Sequence, residues 1–211
     1  MKKSNIIKTE EEIIKHYRRK RRVIVGISVF LLILLYAFKN TSFFIRTTAT
    51  ICALLLFYLI DHLFDIKFRD KHYLIIIFIL ITSWMLSPLY YLYPGYDKVL
   101  HLIIPFISCS VVFYMARNLN IQLKWKLLFV CLIIVGFTGL HELAEYWLDY
   151  FFDLKLQGVF LTNLQTIEKY DLILDRIDDT MIDMTLGLLG AAVYGISRLI
   201  HEKIKSKLST R

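Results

Sequence analysis

Apolar residues dominate six stretches of the chain, and short polar blocks separate these stretches. Each stretch comes close to the roughly 20 residues that a helix needs to cross the hydrocarbon core of a bilayer. The charged residues collect in the blocks between them, which is typical of a polytopic membrane protein. The pattern therefore predicts an all-α bundle of about six transmembrane helices. These are expected at residues 23–38, 47–64, 73–90, 98–116, 127–150 and 179–200.

The positions of the basic residues predict how this bundle lies in the membrane. Most of the 26 Lys and Arg residues fall in the two terminal segments and in the connections expected on the same side. Because Lys and Arg are retained on the cytoplasmic side, we expect both termini in the cytoplasm. Residues 1–22 would form a basic cytoplasmic segment, residues 23–200 the transmembrane bundle and residues 201–211 a basic tail. Residues 153–178 would form an outer loop, folded back as a short helix or a re-entrant cap.

Composition narrows the class of protein further. Hydrophobic residues make up 57% of the chain, and the formal net charge is +8. A basic terminus beside apolar runs favours attachment to anionic lipid over nucleic-acid binding, and no nucleic-acid-binding motif accompanies the charge. The three cysteines have no zinc-site spacing. We therefore predict a multi-pass protein of a bacterial cell membrane, with the lipid bilayer as its partner and no nucleic acid.

The most unusual polar residues lie between Gly139 and Asp149, at the end of the fifth apolar run. The helical period places His141, Glu145 and Asp149 on one face, with Glu142 one step round. Ionisable side chains inside a transmembrane helix are costly and commonly mark a functional site. With the predicted topology, these residues lie in the outer part of the fifth span.

Two further polar stretches are predicted at the same depth, at the outer ends of the fourth and sixth spans. They contain Asp97, Lys98 and His101, and Arg176, Asp178, Asp179 and Asp183. Acids outnumber bases in this combined set, and the excess of buried negative charge needs protons, a metal ion or water.

The residue types in the set are those that bind zinc, manganese, iron or magnesium. The predicted metal ligands are His101, His141, Glu145, Asp179 and Asp183. Glu142 or Asp178 is the predicted general base, and Asp97, Lys98 and Arg176 are predicted to bind substrate. The string His-Glu-x-x-Glu lacks the second histidine of the zincin motif, so no protease mechanism is inferred.

Functions of two different classes agree with this set. The first is a metal-dependent hydrolase that acts on a lipid or lipid-linked envelope substrate. The alternative is a non-enzymatic membrane protein that binds or transports a small ligand, ion or lipid, or that modulates envelope or antibiotic resistance. A network of ion pairs that only holds three helices together is the structural alternative to both. Elsewhere, Asp61, His62 and Asp65 are interpreted as a solvated cytoplasmic rim.

Three motifs together resemble a known family. They are Tyr96-Asp-Lys-Val-Leu-His101, Gly139-Leu-His-Glu-Leu-Ala-Glu145, and Asp178-Asp-Thr-Met-Ile-Asp183 followed by Gly187 and Gly190. Over about residues 90–195 this pattern resembles the YjdF-type inner-membrane proteins and, more distantly, the VanZ-like proteins, some of which are linked to glycopeptide resistance. The resemblance implies a small polytopic bacterial membrane protein and supplies no established activity.

Overall fold

The structure, a computed structural model, describes residues 2–38, 41–162 and 170–209. Residues 1, 39–40 and 210–211, and residues 163–169 of the predicted cap, lie outside the described residues. The chain forms two compact units, Met1–Met85 and Leu86–Arg211. Helices account for most of the described chain, which confirms the prediction of an all-α membrane protein.

The first unit contains three α-helices followed by a π-helical turn, Ile81–Met85. The second unit begins with a 3-10 turn, Ser87–Tyr91, and continues with three long helices and a two-stranded hairpin. In chain order the elements are α1 (Lys2–Phe38), α2 (Thr41–Leu63), α3 (Asp70–Leu80), α4 (Tyr96–Met115), α5 (Leu123–Phe152), β1 (Val159–Thr162), β2 (Tyr170–Leu174) and α6 (Arg176–Ser209).

Four helices within the described residues are long and apolar enough to cross a membrane. The candidate spans are Phe44–Leu63, Tyr96–Asn118, Leu123–Phe152 and Arg176–Leu208. The other two predicted spans, residues 23–38 and 73–90, coincide with the second half of α1 and with α3 plus the turns after it. The third apolar run is therefore divided among three short elements. The count of six spans and the cytoplasmic position of both termini stay predictions.

A buried polar cluster fixes the first unit. The Lys20 ammonium donates a hydrogen bond to Asp61 Oδ2 at 2.8 Å, and the Tyr73 hydroxyl donates to the same oxygen at 2.7 Å. The other carboxylate oxygen accepts the Phe68 amide at 2.9 Å. The expected solvated rim is wrong for Asp61, which is completely buried. The prediction of an exposed position is correct for His62 and Asp65.

Small residues on α6 bring the helices of the second unit close together. A Cβ atom on Gly187 would lie 2.7 Å from the Thr138 methyl carbon on α5, and one on Gly190 would overlap the Leu102 carbonyl oxygen on α4. Next to these contacts lies a core of small and branched side chains from all three helices. The core consists of Cys109, Ala116, Val130, Ile134 and Ala191. The glycines thus bring the polar ends of three helices close enough to share one site.

The loop between α5 and α6 contains an antiparallel hairpin where a short helix or a re-entrant cap is predicted. In this hairpin Val159 pairs with Leu174 and Thr162 pairs with Tyr170. The backbone before it turns sharply, since Asp153, Lys155 and Gly158 all have positive φ. Positive φ ends a helix and prevents it from restarting, so residues 153–158 form an irregular segment, here called the strap.

Candidate metal centre

The first turns of α4 place two ionisable residues on one helix face. Asp97 and His101 are four residues apart, and Asp97 Oδ1 lies 3.4 Å from His101 Nε2. The His101 side chain is buried, and Asp97 is largely so. This i, i+4 contact follows from the helical period alone, and it directs an imidazole and a carboxylate toward the same neighbours.

Lys98 connects α4 to the start of α6. Its ammonium lies 2.8 and 2.7 Å from the two oxygens of Asp183 and 3.2 Å from Asp97 Oδ2. It also donates a hydrogen bond to Asp179 Oδ1. Asp179 and Asp183 are four residues apart on one face of α6, and both are fully buried. One ammonium therefore contacts three carboxylates, and its three N–H donors are committed to the protein.

Glu142 brings α5 to the same cluster. Its side chain is only 5% exposed, and His101 Nδ1 lies 3.6 Å from its Oε1. Neither carboxylate oxygen of Glu142 makes a hydrogen bond of good geometry with the described residues, although the Thr180 side chain lies near it. Because a buried carboxylate without a partner is costly, this group is suited to a cation, a proton or water.

His141 and Glu145 form a pair beside the cluster. His141 Nε2 lies 3.4 Å from Glu145 Oε1, and the His141 ring stacks on the His101 ring with the centroids 5.4 Å apart. His141 follows the buried Ile134 by two helical turns and so shares its face, yet its side chain is 53% exposed. His141 therefore lies at the edge of the cluster, next to His101.

Three residues of this cluster lie within metal-binding distance of one another. Asp97, His101 and Asp183 each offer one ligand atom, and these atoms are all within 4.8 Å of one another. The group combines two carboxylates and an imidazole from two helices, all within the second unit. Such donors fit zinc, manganese or iron(II) better than magnesium, which prefers oxygen ligands alone.

Asp179 also connects the cluster to the strap. Its Oδ2 accepts the Gly158 amide at 2.8 Å. Asp149, near the end of α5, accepts the two preceding amides, from Leu156 at 2.8 Å and Gln157 at 2.9 Å. Two buried carboxylates thus bind three consecutive backbone amides, and they hold the strap against the ends of α5 and α6.

The remaining predicted site residues lie on the surface. Asp178 and Arg176 occupy the first turn of α6, and both are exposed. Asp175 caps this turn, since its Oδ1 accepts the amides of Ile177 and Asp178 at 2.9 and 3.0 Å. The exposure of Asp178 makes Glu142 the better-placed of the two candidate bases.

The structure groups the predicted metal ligands differently from the sequence analysis. Whether any of them binds a metal ion stays a prediction. The structure places His101 and Asp183 in the metal-sized group, together with Asp97, which the sequence analysis assigns to substrate. It places Asp179 on Lys98 and the strap, and it pairs His141 with Glu145. The Asp97–His101 spacing is the same i, i+4 signal as that of His141 and Glu145, and it could have identified Asp97 as a ligand.

Asp149 is a residue that the sequence analysis placed on the polar face without giving it a role. The positive-φ turn after it has no sequence signal, because only one of the three residues in that conformation is glycine. The amides that Asp149 binds could not be foreseen from its position alone.

Comparison with known proteins identifies the family. A family model described as "Predicted membrane protein (DUF2238)" matches residues 21–203. The chain belongs to this family. The DUF2238 match covers both units and supports the coarser part of the resemblance, a membrane protein family without an assigned activity. The likeness to VanZ-like proteins stays a prediction. No curated protein and no solved structure shows a significant match to the chain.

Proposed function

We propose that this DUF2238 protein binds one divalent metal ion at Asp97, His101 and Asp183, and that it is a hydrolase of a lipid or lipid-linked envelope substrate in a bacterial cell membrane. The observation that carries the proposal is the convergence of these three side chains, each with a ligand atom within 4.8 Å of the others. All three are largely or fully buried, so water screens their charges poorly.

Glu142 supports the metal proposal independently of these three residues. It is buried, it makes no hydrogen bond of good geometry with the described residues, and it lies against His101. A metal ion in the site would supply Lewis-acid activation of water. Glu142 is placed to accept the proton from that water, since its free oxygens lie beside the ligand histidine.

The charge balance of the cluster also favours a divalent cation. The cluster holds four carboxylates and one ammonium: Asp97, Asp179 and Asp183 contact Lys98, and Glu142 lies against His101. Membrane interiors tolerate such an excess of negative charge poorly. With all five groups ionised the excess is three negative charges, of which one divalent ion would remove two and a single proton only one.

Two features support an amphiphilic substrate. The candidate site lies between helices whose lengths and apolar surfaces suit a membrane. Exposed aromatic rings of Tyr146, Trp147, Tyr150 and Phe151, which contact one another, follow the site along α5. Tyr and Trp prefer the level of lipid head groups. About one helical turn separates Trp147 from Glu142, so the polar part of a lipid would lie near the metal ligands.

Elemental analysis of the detergent-purified protein tests the metal site. We expect close to one zinc, manganese or iron per chain in the parent, and its loss in His101→Ala and Asp183→Asn. Asp175→Asn is the matched control, because this exposed aspartate only caps α6. A parent that stays metal-free after dialysis against each of these ions would contradict the proposal and favour the structural ion-pair network.

Hydrolysis is tested separately with the metal-loaded protein. Incubation with a bacterial polar lipid extract should release free head groups or inorganic phosphate, and Glu142→Gln should abolish release while retaining metal. A metal-loaded protein that releases nothing from the extract would favour the non-enzymatic alternative, in which the same site binds or transports an ion or a lipid.

A further inference from the structure

The most unusual neighbour of the candidate metal site is a cation that belongs to the chain itself. The Lys98 ammonium lies within 2.7–3.2 Å of oxygens of Asp97 and Asp183. These two residues also supply carboxylate ligands in the metal-sized group. An ammonium at these distances occupies the lone pairs that a metal ion would use.

The contact with Asp183 is especially informative. Lys98 lies almost equally far from both oxygens of this carboxylate, at 2.8 and 2.7 Å. This is the position that a bidentate metal ion would take on the same group, although metal–oxygen distances are shorter. A divalent ion and an ammonium cannot share one carboxylate at such range without strong repulsion, because burial leaves the charges unscreened.

Asp179 offers the ammonium an alternative position. It contacts Lys98 through Oδ1, it is buried, and it does not belong to the metal-sized group. Lysine carries its charge on a flexible four-carbon stem, so the ammonium can move between carboxylates while its backbone stays in α4. The Lys98 ammonium therefore lies at the candidate metal ligands, and Asp179 offers it an alternative carboxylate partner.

We propose that Lys98 is a tethered cation that competes with the metal ion: it neutralises Asp97 and Asp183 when the site is empty and moves toward Asp179 when a divalent ion binds. This inference rests on the proposed function, and it replaces the predicted role of Lys98 in holding an anionic substrate. Its consequence is regulatory. The lysine lowers the affinity of the site, which then fills only above a threshold of free metal, and it keeps the buried acids paired at lower concentrations.

Manganese binding by purified full-length protein tests the inference, with free Mn²⁺ measured by electron paramagnetic resonance. Lys98→Met should bind Mn²⁺ about tenfold more tightly than the parent or better, since it removes a competing charge from the ligands. Lys98→Arg keeps a tethered charge and should bind no more tightly than the parent. Lys155→Met is the matched control for total charge, because this lysine pairs with the exposed Asp153 on the strap and lies over the Phe160 ring.

Each outcome decides between the two proposals. Binding by both proteins, tighter in Lys98→Met than in the parent, supports the tethered cation, whereas binding by Lys98→Met alone overturns it together with the metal site of the parent. Binding by the parent with equal or weaker binding by Lys98→Met overturns it and leaves the metal site intact. Absence of binding in every variant overturns both proposals.

A second measurement uses only the parent protein, in case Lys98→Met does not fold. Reductive methylation followed by mass spectrometry reports how readily the Lys98 amine reacts. We expect saturating Mn²⁺ to change the labelling of Lys98 at least about threefold, because the ammonium leaves two of its three carboxylates, while Lys155 labelling stays constant. Unchanged Lys98 labelling in the presence of Mn²⁺ would overturn the displacement.

Discussion

Asp149 Oδ1 accepts the backbone amide of Leu156 at 2.8 Å, so the last turns of α5 hold the strap that leads to the hairpin. The second oxygen of the same buried carboxylate accepts the amide of Gln157. The strap therefore depends on one side chain for two of its backbone hydrogen bonds. This relationship leads to the first prediction.

Asp149→Asn should loosen the strap and leave the helices in place. Asparagine retains one acceptor oxygen and loses the other, so one amide loses a charge-assisted hydrogen bond, a loss of about 1–3 kcal/mol. Hydrogen exchange at Leu156 and Gln157 should accelerate, and the thermal midpoint in detergent should fall. Asp153→Asn is the control, since the side chain of that aspartate is exposed and pairs with the strap's own Lys155. Equal exchange in both variants would show that Asp149 does not hold the strap.

Lys20→Met should destabilise the first unit strongly. The substitution leaves the Asp61 carboxylate buried without its cation, which commonly costs about 3–5 kcal/mol. Arg19→Met removes the neighbouring surface pair with Asp70, and about 1 kcal/mol or less is expected there. Thermal unfolding of both variants in the same detergent measures the difference. A Lys20→Met midpoint as high as that of Arg19→Met would mean that Asp61 finds another partner.

Gly187→Ala should separate α5 from α6 near the site. The added methyl group would overlap the side chain of Thr138, and such overpacking costs about 1–3 kcal/mol. Gly195→Ala is the matched control on the same helix, because a Cβ atom there meets nothing within 4 Å. Adding Thr138→Ala to Gly187→Ala should recover most of the lost stability. If the double variant stays as unstable as the single one, the close approach of α5 and α6 at this point is wrong.

His141→Ala and His101→Ala should affect metal binding differently. His101 is a proposed ligand, and its removal should weaken Mn²⁺ binding more than the roughly 10–100-fold expected for an outer-shell partner. His141 only stacks on it, so its removal should weaken binding by less than about tenfold. Isothermal titration or equilibrium dialysis measures both. Equal losses would restore His141 to the ligand set that the sequence analysis predicted.

The sequence predicted that polar residues of α4, α5 and α6 lie at the same end of these helices, because hydrophobic runs fix the helices and alternating direction fixes the end at which each residue lies. Arg176 and Asp178, which belong to the predicted set, lie on the surface instead. It could not predict how the helices rotate about their own axes. That rotation depends on the contacts of Gly187 with Thr138 and of Gly190 with Leu102, and it decides that Lys98 meets Asp183. The rearranged ligand set follows from this.

Burial of Asp61 was unpredictable for a different reason. Its partner Lys20 belongs to a block of five consecutive basic residues, and nothing in the composition distinguishes it from its neighbours. The distinction lies in the phase of α1, which turns Lys20 inward and leaves Arg19 and Arg21 exposed. One residue of this basic block, Lys20, therefore belongs to the buried interior of the first unit.

The ion pair between Lys98 and Asp183 joins residues 85 positions apart in the chain. During synthesis, α4 would reach the membrane with its lysine and aspartate long before their partner on α6 exists. At about 5–20 residues per second, the interval is on the order of 4–17 seconds. A helix whose lysine still lacks two of its three carboxylate partners is a poor candidate for release into lipid. We therefore expect α4 to remain beside the insertion machinery until α6 is made, so that the three helices enter the bilayer as one assembled group.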